Sequence, residues 1–450
     1  MPQPNIVVII ADDVTYNDLP IYGGPNVNTP GIDAMAAQGT VFTNAYLSMA
    51  MCNPCRTELY TGQYPARNGS CWNHSRARPG TRSIVHHMRG LGYRVGLAGK
   101  KHVGPPDSFP FDDVPGLTSG CCEEVTEFDS AGMRAFIERD PSQPFCLVVG
   151  LVEAHCPWTM GDPSRFNPDA LQLPPYMADT PETRRDYAKY LAEVEVLDER
   201  VNGTLEAVES SGCAEDTLVI FTSEQGSQFP GCKWTNWNTG IHTGFVVRWP
   251  GRVPAGRQAD ALIQYADVVP TLIDAAGGDP RCMDLDGSSF LSVLRGETDR
   301  HREYAYCLHN NIPEGPPYPI RAVTDGTYHY IRNLKPESLY IEKHLMGPSK
   351  WHDYWSSWLF CSTFDERTER CIQRYMRRPP EQLYLIPDDP FEMTNLAEDP
   401  VHAEAKQRLS NELDRWIQSQ GDPGAQLDTE AQWQASKEGR HFEPLASKSI

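Results

Sequence analysis

The chain has 450 residues, 40% apolar and 22% charged, which allows a sizeable core and excludes a disordered or fibrous chain. Sixty acidic against 40 basic residues give a formal net charge of −20. That balance argues against nucleic acid as a partner, and an anionic substrate would have to be captured locally, against the overall field.

Apolar runs reach only about seven or eight residues, around 6–11 and 145–152, where a membrane-spanning helix needs roughly 20. Thirteen cysteines, an odd number without framework spacing, read as mostly reduced thiols. The first strand-like run begins at Asn5 and leaves no room for a signal peptide, so the expected compartment is the cytoplasm. The sequons at Asn68, Asn73 and Asn202 are then chance matches.

In chain order, residues 5–10 form a continuous apolar run rich in β-branched side chains, the mark of a strand buried on both faces of a parallel sheet. Pro54 and its successors suit the first turn of a helix. Similar strand runs follow at 94–98, 145–152 and 217–222. A helix is expected over 186–209, where Tyr187, Tyr190, Leu191, Val194, Leu197, Val201 and Leu205 keep a helical period. Strands alternating with helices predict an α/β fold with a mostly parallel sheet sandwiched by helices.

Beyond about residue 300 the texture changes. Residues 321–334 read as a hairpin around Asp325-Gly326, a Trp/Tyr-rich insert follows, and an amphipathic helix closes the chain near 402–418. The expected division is a catalytic domain over 1–305 and a smaller C-terminal α+β domain over 306–450 carrying an antiparallel sheet.

Ligands of open parallel sheets bind beyond the carboxyl ends of the strands. Asp12 and Asp13 follow the first run, Lys100 and His102 the second, His155 the third, and Glu224 and Gln225 the fourth, with Lys233 a short loop away. Asp12, Asp13, Glu224 and Gln225 offer only oxygen, which selects a hard cation: Ca2+ foremost, Mg2+ or Mn2+ as alternatives. Arg56, Lys100 and Lys233 supply fixed positive charge for an anion, and His102 and His155 can move protons near neutral pH. Trp158, Trp234 and Trp237 lie close in sequence to these groups and are candidates for stacking on a sugar ring.

Cys52 and Cys55 form a C-x-x-C pair, which admits a redox or zinc site. No second pair supports zinc, and a redox site would leave the carboxylates and lysines unexplained. Cys52-Asn53-Pro54-Cys55-Arg56, with Thr61-Gly62 after it, resembles the signature of the formylglycine-dependent sulfatases, of the alkaline phosphatase-like superfamily. Residues 5–13, 28–33, 99–104 and 389–397 resemble further elements of that family, and 99–112, 318–323 and 332–334 are most similar to its sulfamidase branch, the heparan N-sulfatases.

The resemblance implies that Cys52 is oxidised to formylglycine by a maturation enzyme and joins the metal site, and that its hydrate attacks sulfur. Arg56 and Lys100 would hold charge, His155 and Lys233 would serve the leaving group, and His102 would take the proton that lets sulfate depart. The substrate would be a small or oligosaccharide sulfate ester or sulfamate. Departures are Glu224-Gln225 for the usual Asp-Asn or Asp-His pair, Cys55 for Ser, and Lys233 where sulfamidases carry Arg. Other readings are a phosphodiesterase or phosphonate monoester hydrolase on the same scaffold, and a non-catalytic binder of sulfated glycans.

Overall fold

The computed structural model describes residues 3–442. Its strands are β1 (Asn5–Ala11), β2 (Thr40–Phe42), β3 (Ala45–Tyr46), β4 (Arg94–Gly99), β5 (Asp112–Val114), β6 (Phe145–Gly150), β7 (Thr217–Ser223), β8 (Phe245–Arg248), β9 (Arg257–Ala259), β10 (Ile263–Gln264), β11 (Ala305–His309), β12 (Ile320–Thr324), β13 (Tyr328–Asn333) and β14 (Glu381–Leu385). The main sheet has eight strands in the order β5-β4-β6-β1-β7-β8-β2-β9. From β5 to β7 every pairing is parallel, while β8 runs antiparallel to both its neighbours.

The apolar runs become the central strands because both faces are covered: every residue of β6 and β7 is buried. Helices Pro30–Ala37 and Ala131–Glu138 pack on the long helix Pro181–Ser210. Helices Cys52–Thr61, Ile84–Gly90 and Val268–Ala275 form a separate layer. The long helix starts before the expected residue 186 because Thr180 caps it, accepting from the Thr183 N–H at 3.1 Å, with Pro181 in the first turn. Strand β6 stops at Gly150, short of the expected 152.

Strands β11 to β14 form a separate antiparallel sheet in chain order. The β12–β13 turn is one residue later than expected: the Asp325 N–H donates to Tyr328 O at 3.2 Å, and Gly326 (φ 83°) lies in the left-handed region. Helix Ala403–Gln420 buries Leu409, Leu413 and Trp416 against this sheet and ends at Gly421 (φ 62°). Strands β3 and β10 form a third, two-stranded sheet, and β11 is tied to it: the Leu308 N–H donates to Ser48 O at 2.8 Å, and Gln264 Nε2 donates to Tyr306 O at 2.6 Å. The segment after the last sheet helix is tied back. Asp422 forms a buried ion pair with Arg321, and the Asp428 carboxylate accepts from the N–H groups of Asn311, Ile312 and Tyr318.

Candidate active site

The carboxyl ends of β1, β4, β6 and β7 converge on one buried cluster of charge. The Asp12 N–H donates to Glu153 O (3.0 Å), the Lys100 N–H to Gly150 O (2.8 Å) and the Glu224 N–H to Ala11 O (2.8 Å), so the strand ends stay zipped where the side chains turn inward. Asp12, Asp13, Arg56, Glu224 and Gln225 have no solvent exposure, and Lys100 and Lys233 have 1%. Buried charge persists only when paired. Here Lys100 pairs with Asp12, Lys233 with Asp13 at 2.7 Å, and Arg56 with Glu224, while Arg56 Nη1 also donates to Lys100 O at 2.8 Å.

Cys52 opens helix Cys52–Thr61, whose free N–H groups and positive dipole end face the cluster. Its Sγ lies 3.6 Å from Asp12 Oδ1 and 3.1 Å from Gln225 Nε2. Cys55 Sγ lies 3.6 Å from the Glu224 carbonyl, and both cysteines are free. Among the described residues Cys55 joins no group of three metal-ligating side chains, which argues against zinc on the C-x-x-C pair. Asp13 (φ 55°), His102 (φ 46°) and Trp234 (φ 62°), the last next to Lys233, all occupy the left-handed region, a cost that clusters at functional sites.

Burial would lift the Asp12 carboxyl, but Lys100, His155, Arg56 and Lys233 hold it well below the usual range. Glu224 is different: burial pushes it up to about 7 against the pull of Arg56. Burial likewise raises the Cys52 thiol, and Glu224 adds to it. Burial and the Lys100 charge keep His102 neutral, its pKa well below the ordinary value.

The donor set fits a hard cation. Besides the carboxylates of Asp12 and Asp13, Glu224 Oε1 and Gln225 Oε1 are buried with no hydrogen-bond partner among the described residues, a condition that a cation would relieve. Gln225 donates Nε2 to Asp13 Oδ1 at 2.7 Å, so ligation through Oε1 requires the amide to turn over.

The residues expected at the site gather here with two qualifications. His155 Nε2 stands 3.5 Å from Asp13 Oδ2, and its Nδ1 donates to Cys156 O at 2.6 Å. His102 makes no hydrogen bond to Cys52; its backbone oxygen accepts from Asn53 Nδ2 (2.9 Å) and its Nε2 meets His74 Nδ1 (3.1 Å). The sequence did not mark His74 or the cluster beside it. There Glu314 accepts from Asn73 Nδ2 (2.7 Å) and pairs with His344 (2.6 Å), and His344 stacks on Trp234.

The sugar-stacking expectation fails for two tryptophans. Trp158 is buried against Phe229, ring centroids 4.8 Å apart, and Trp237 lies buried under the guanidinium groups of Arg374 and Arg378. Both are core. Trp234, also buried, has one ring contact with His344 and Lys233 Nζ at 4.7 Å from its centroid.

The family model described as Sulfatase matches residues 4–278, and one described as N-sulphoglucosamine sulphohydrolase, C-terminal, matches residues 233–340. An ulvan-active sulfatase of Formosa agariphila is 31% identical over 429 residues, 93% of this chain and 81% of the relative. N-sulphoglucosamine sulphohydrolase of Homo sapiens is 26% identical over 467 residues, 93% and 91% of the two chains. A protein solved with its substrate D-glucosamine-2-N,6-O-disulfate superposes with a TM-score of 0.71 at 19% identity, covering 94% of this chain and 99% of that one, a likeness of fold.

Proposed function

This chain belongs to the sulfatase family, hydrolases of sulfate esters and sulfamates, and we propose that its substrate is a sulfated carbohydrate and its cation Ca2+. The family carries a metal ion and a formylglycine; in this chain Asp12, Asp13, Glu224 and Gln225 would hold the ion and Cys52 would be the modified residue. A formylglycine-generating enzyme is the partner this requires. One observation carries the reading: Cys52 Sγ sits at a helix N-terminus within 3.6 Å of Asp12 Oδ1, among the buried, paired cations Arg56, Lys100 and Lys233. The match of residues 233–340 to the sulphohydrolase C-terminal model favours a carbohydrate.

When bound, the cation polarises sulfate oxygens and the modified residue supplies the hydrated aldehyde as nucleophile. Arg56 and Lys100 neutralise charge on that side, and the helix N-terminus directs N–H groups at it. Lys233 and His155 both reach Asp13 and serve the leaving group. With Nδ1 fixed on Cys156 O, His155 presents Nε2 to donate a proton there. His102, neutral and with Nδ1 free of partners among the described residues, takes a proton back.

The test is inorganic sulfate release from N-sulfoglucosamine beside 6-O-sulfated N-acetylglucosamine, with the mass of the Cys52 peptide measured on the same batch. Release from either sugar is the expected result and decides between N- and O-sulfate. Formylglycine-bearing protein that releases sulfate from no glycan yet cleaves phosphate diesters would overturn the reading.

A further inference from the structure

Two cysteines at the rim of this site are left unused by the chemistry above. Cys121 and Cys122 lie in the loop between β5 and helix Ala131–Glu138, with Cys122 exposed and Cys121 half-buried. Their sulfurs are 3.9 Å apart, and both lie within 4.8 Å of a ring nitrogen of His155. A disulfide needs about 2.05 Å. Two thiolates on a tetrahedral zinc, each about 2.3 Å from the ion, stand about 3.8 Å apart, close to the separation seen.

The loop is held there. The Thr118 N–H donates to Glu127 O at 3.2 Å, Thr126 Oγ1 is bonded to Glu153, and Arg200 pairs with Glu153 at 3.1 Å, just upstream of His155. His155 is also prepared as a ligand. Because Cys156 O can only accept, Nδ1 keeps its proton in either charge state, and in the neutral ring Nε2 holds the lone pair a metal needs, the outer-sphere arrangement usual behind metal-bound histidine.

We propose that Cys121, Cys122 and His155 form a second cation site, selective for thiophilic divalent ions such as Zn2+ or Cd2+, which takes His155 away from the leaving group and stops turnover. Two sulfurs and an imidazole select soft ions, whereas the oxygen-rich cluster beside them selects hard ones, so the two sites discriminate by donor chemistry. Binding forms two metal–sulfur bonds and one metal–nitrogen bond and releases both thiol protons to solvent, with no change in oxidation state; water completes the tetrahedron.

The inhibitory half rests on the sulfatase reading; the binding half does not, and the experiment separates them. Matured enzyme in excess Ca2+ is titrated with Cd2+ while the ultraviolet thiolate-to-cadmium band and sulfate release are followed together. The native protein should show one equivalent more of the band than the Cys121→Ser/Cys122→Ser variant. Its sulfate release should fall roughly tenfold or more over that equivalent, while the variant keeps its basal release and loses the sensitivity. His155→Gln should weaken cadmium binding by roughly tenfold or more, at least the cost of losing an outer-sphere partner of a ligand. Because Cys122 is exposed, Cys122→Ser alone serves if the double variant folds poorly. Identical titrations in native and variant protein would overturn the site. A band without inhibition, or inhibition that persists in the variant, would overturn its coupling to His155.

Discussion

Cys52→Ala removes the sulfur that formylglycine is made from without disturbing a charge pair, so sulfate release should disappear while the melting temperature stays near native. Residual turnover above a small percentage would place the nucleophile elsewhere. A second residue tests the electrostatics of the same helix. Glu58 is fully buried, accepting from the Ser48 N–H and Oγ at 2.8 Å each, and burial lifts its pKa from 4.5 to about 8. Between those values the folded state holds a proton that the unfolded state has lost, so stability is present below the lower pKa and falls as pH rises through the upper one. Glu58→Gln should therefore gain melting temperature over the native protein as pH goes from 5 to 8; a difference independent of pH would show that Glu58 is ionised in the fold. At this scale the site was legible wherever a residue follows a strand or sits in the cysteine signature, because the sheet aims such side chains to one edge. His74, Glu314 and His344 were not legible: they arrive from loops without periodicity, and only tertiary packing brings them to His102 and Trp234.

At the scale of elements, β4 and β6 meet through Gly99 and Gly150, and the space between them is already occupied. A Cβ on Gly150 would lie 2.3 Å from Lys100 O and 3.0 Å from Arg56 Nη1, and the backbone oxygen cannot swing aside. Gly150→Ala should cost about 1–3 kcal/mol as overpacking and lower turnover as well, because the displaced groups hold the charge cluster; unchanged melting and turnover would show that the strand ends can slide. Thr180→Ala should cost the long helix about 1 kcal/mol by leaving the Thr183 N–H uncapped, read as a small drop in melting temperature with turnover intact. The long apolar strands were readable because both faces are buried. Strands β2, β5 and β9 span three residues each and β8 four, too few to carry a period, so half of the eight-stranded sheet's order came only from the structure. The early start of helix Pro181–Ser210 had a local signal, a Thr-Pro-Glu opening outside the apolar stripe used to place it.

Across the whole molecule, the segment after Gln420 works as a clasp. It brings Asp422 to Arg321 and Asp428 to the backbone around Asn311, and Trp433 Nε1 reaches Asn73 O at 2.9 Å, one residue from His74. Ending the chain at Gln420 leaves the fully buried Arg321 without its counter-charge, which costs about 3–5 kcal/mol. The shortened protein should melt far below the full chain or fail to accumulate; native-like melting would show that the clasp is decorative.

The pairing of Lys100 with Asp12 and of Lys233 with Asp13 bears on how this protein depends on its surroundings. A cradle of unbalanced carboxylates needs its ion in order to fold, as small zinc domains do. Here the lysines supply the balancing charge from within the chain, so folding is decoupled from the supply of divalent ions and only the chemistry waits on it. Chelation should abolish sulfate release and shift melting by no more than a few degrees, with activity returning on added Ca2+; a collapse in melting temperature would show that the ion is part of the architecture. Such a protein can be made and kept where its divalent ion is scarce, and becomes competent when it meets that ion.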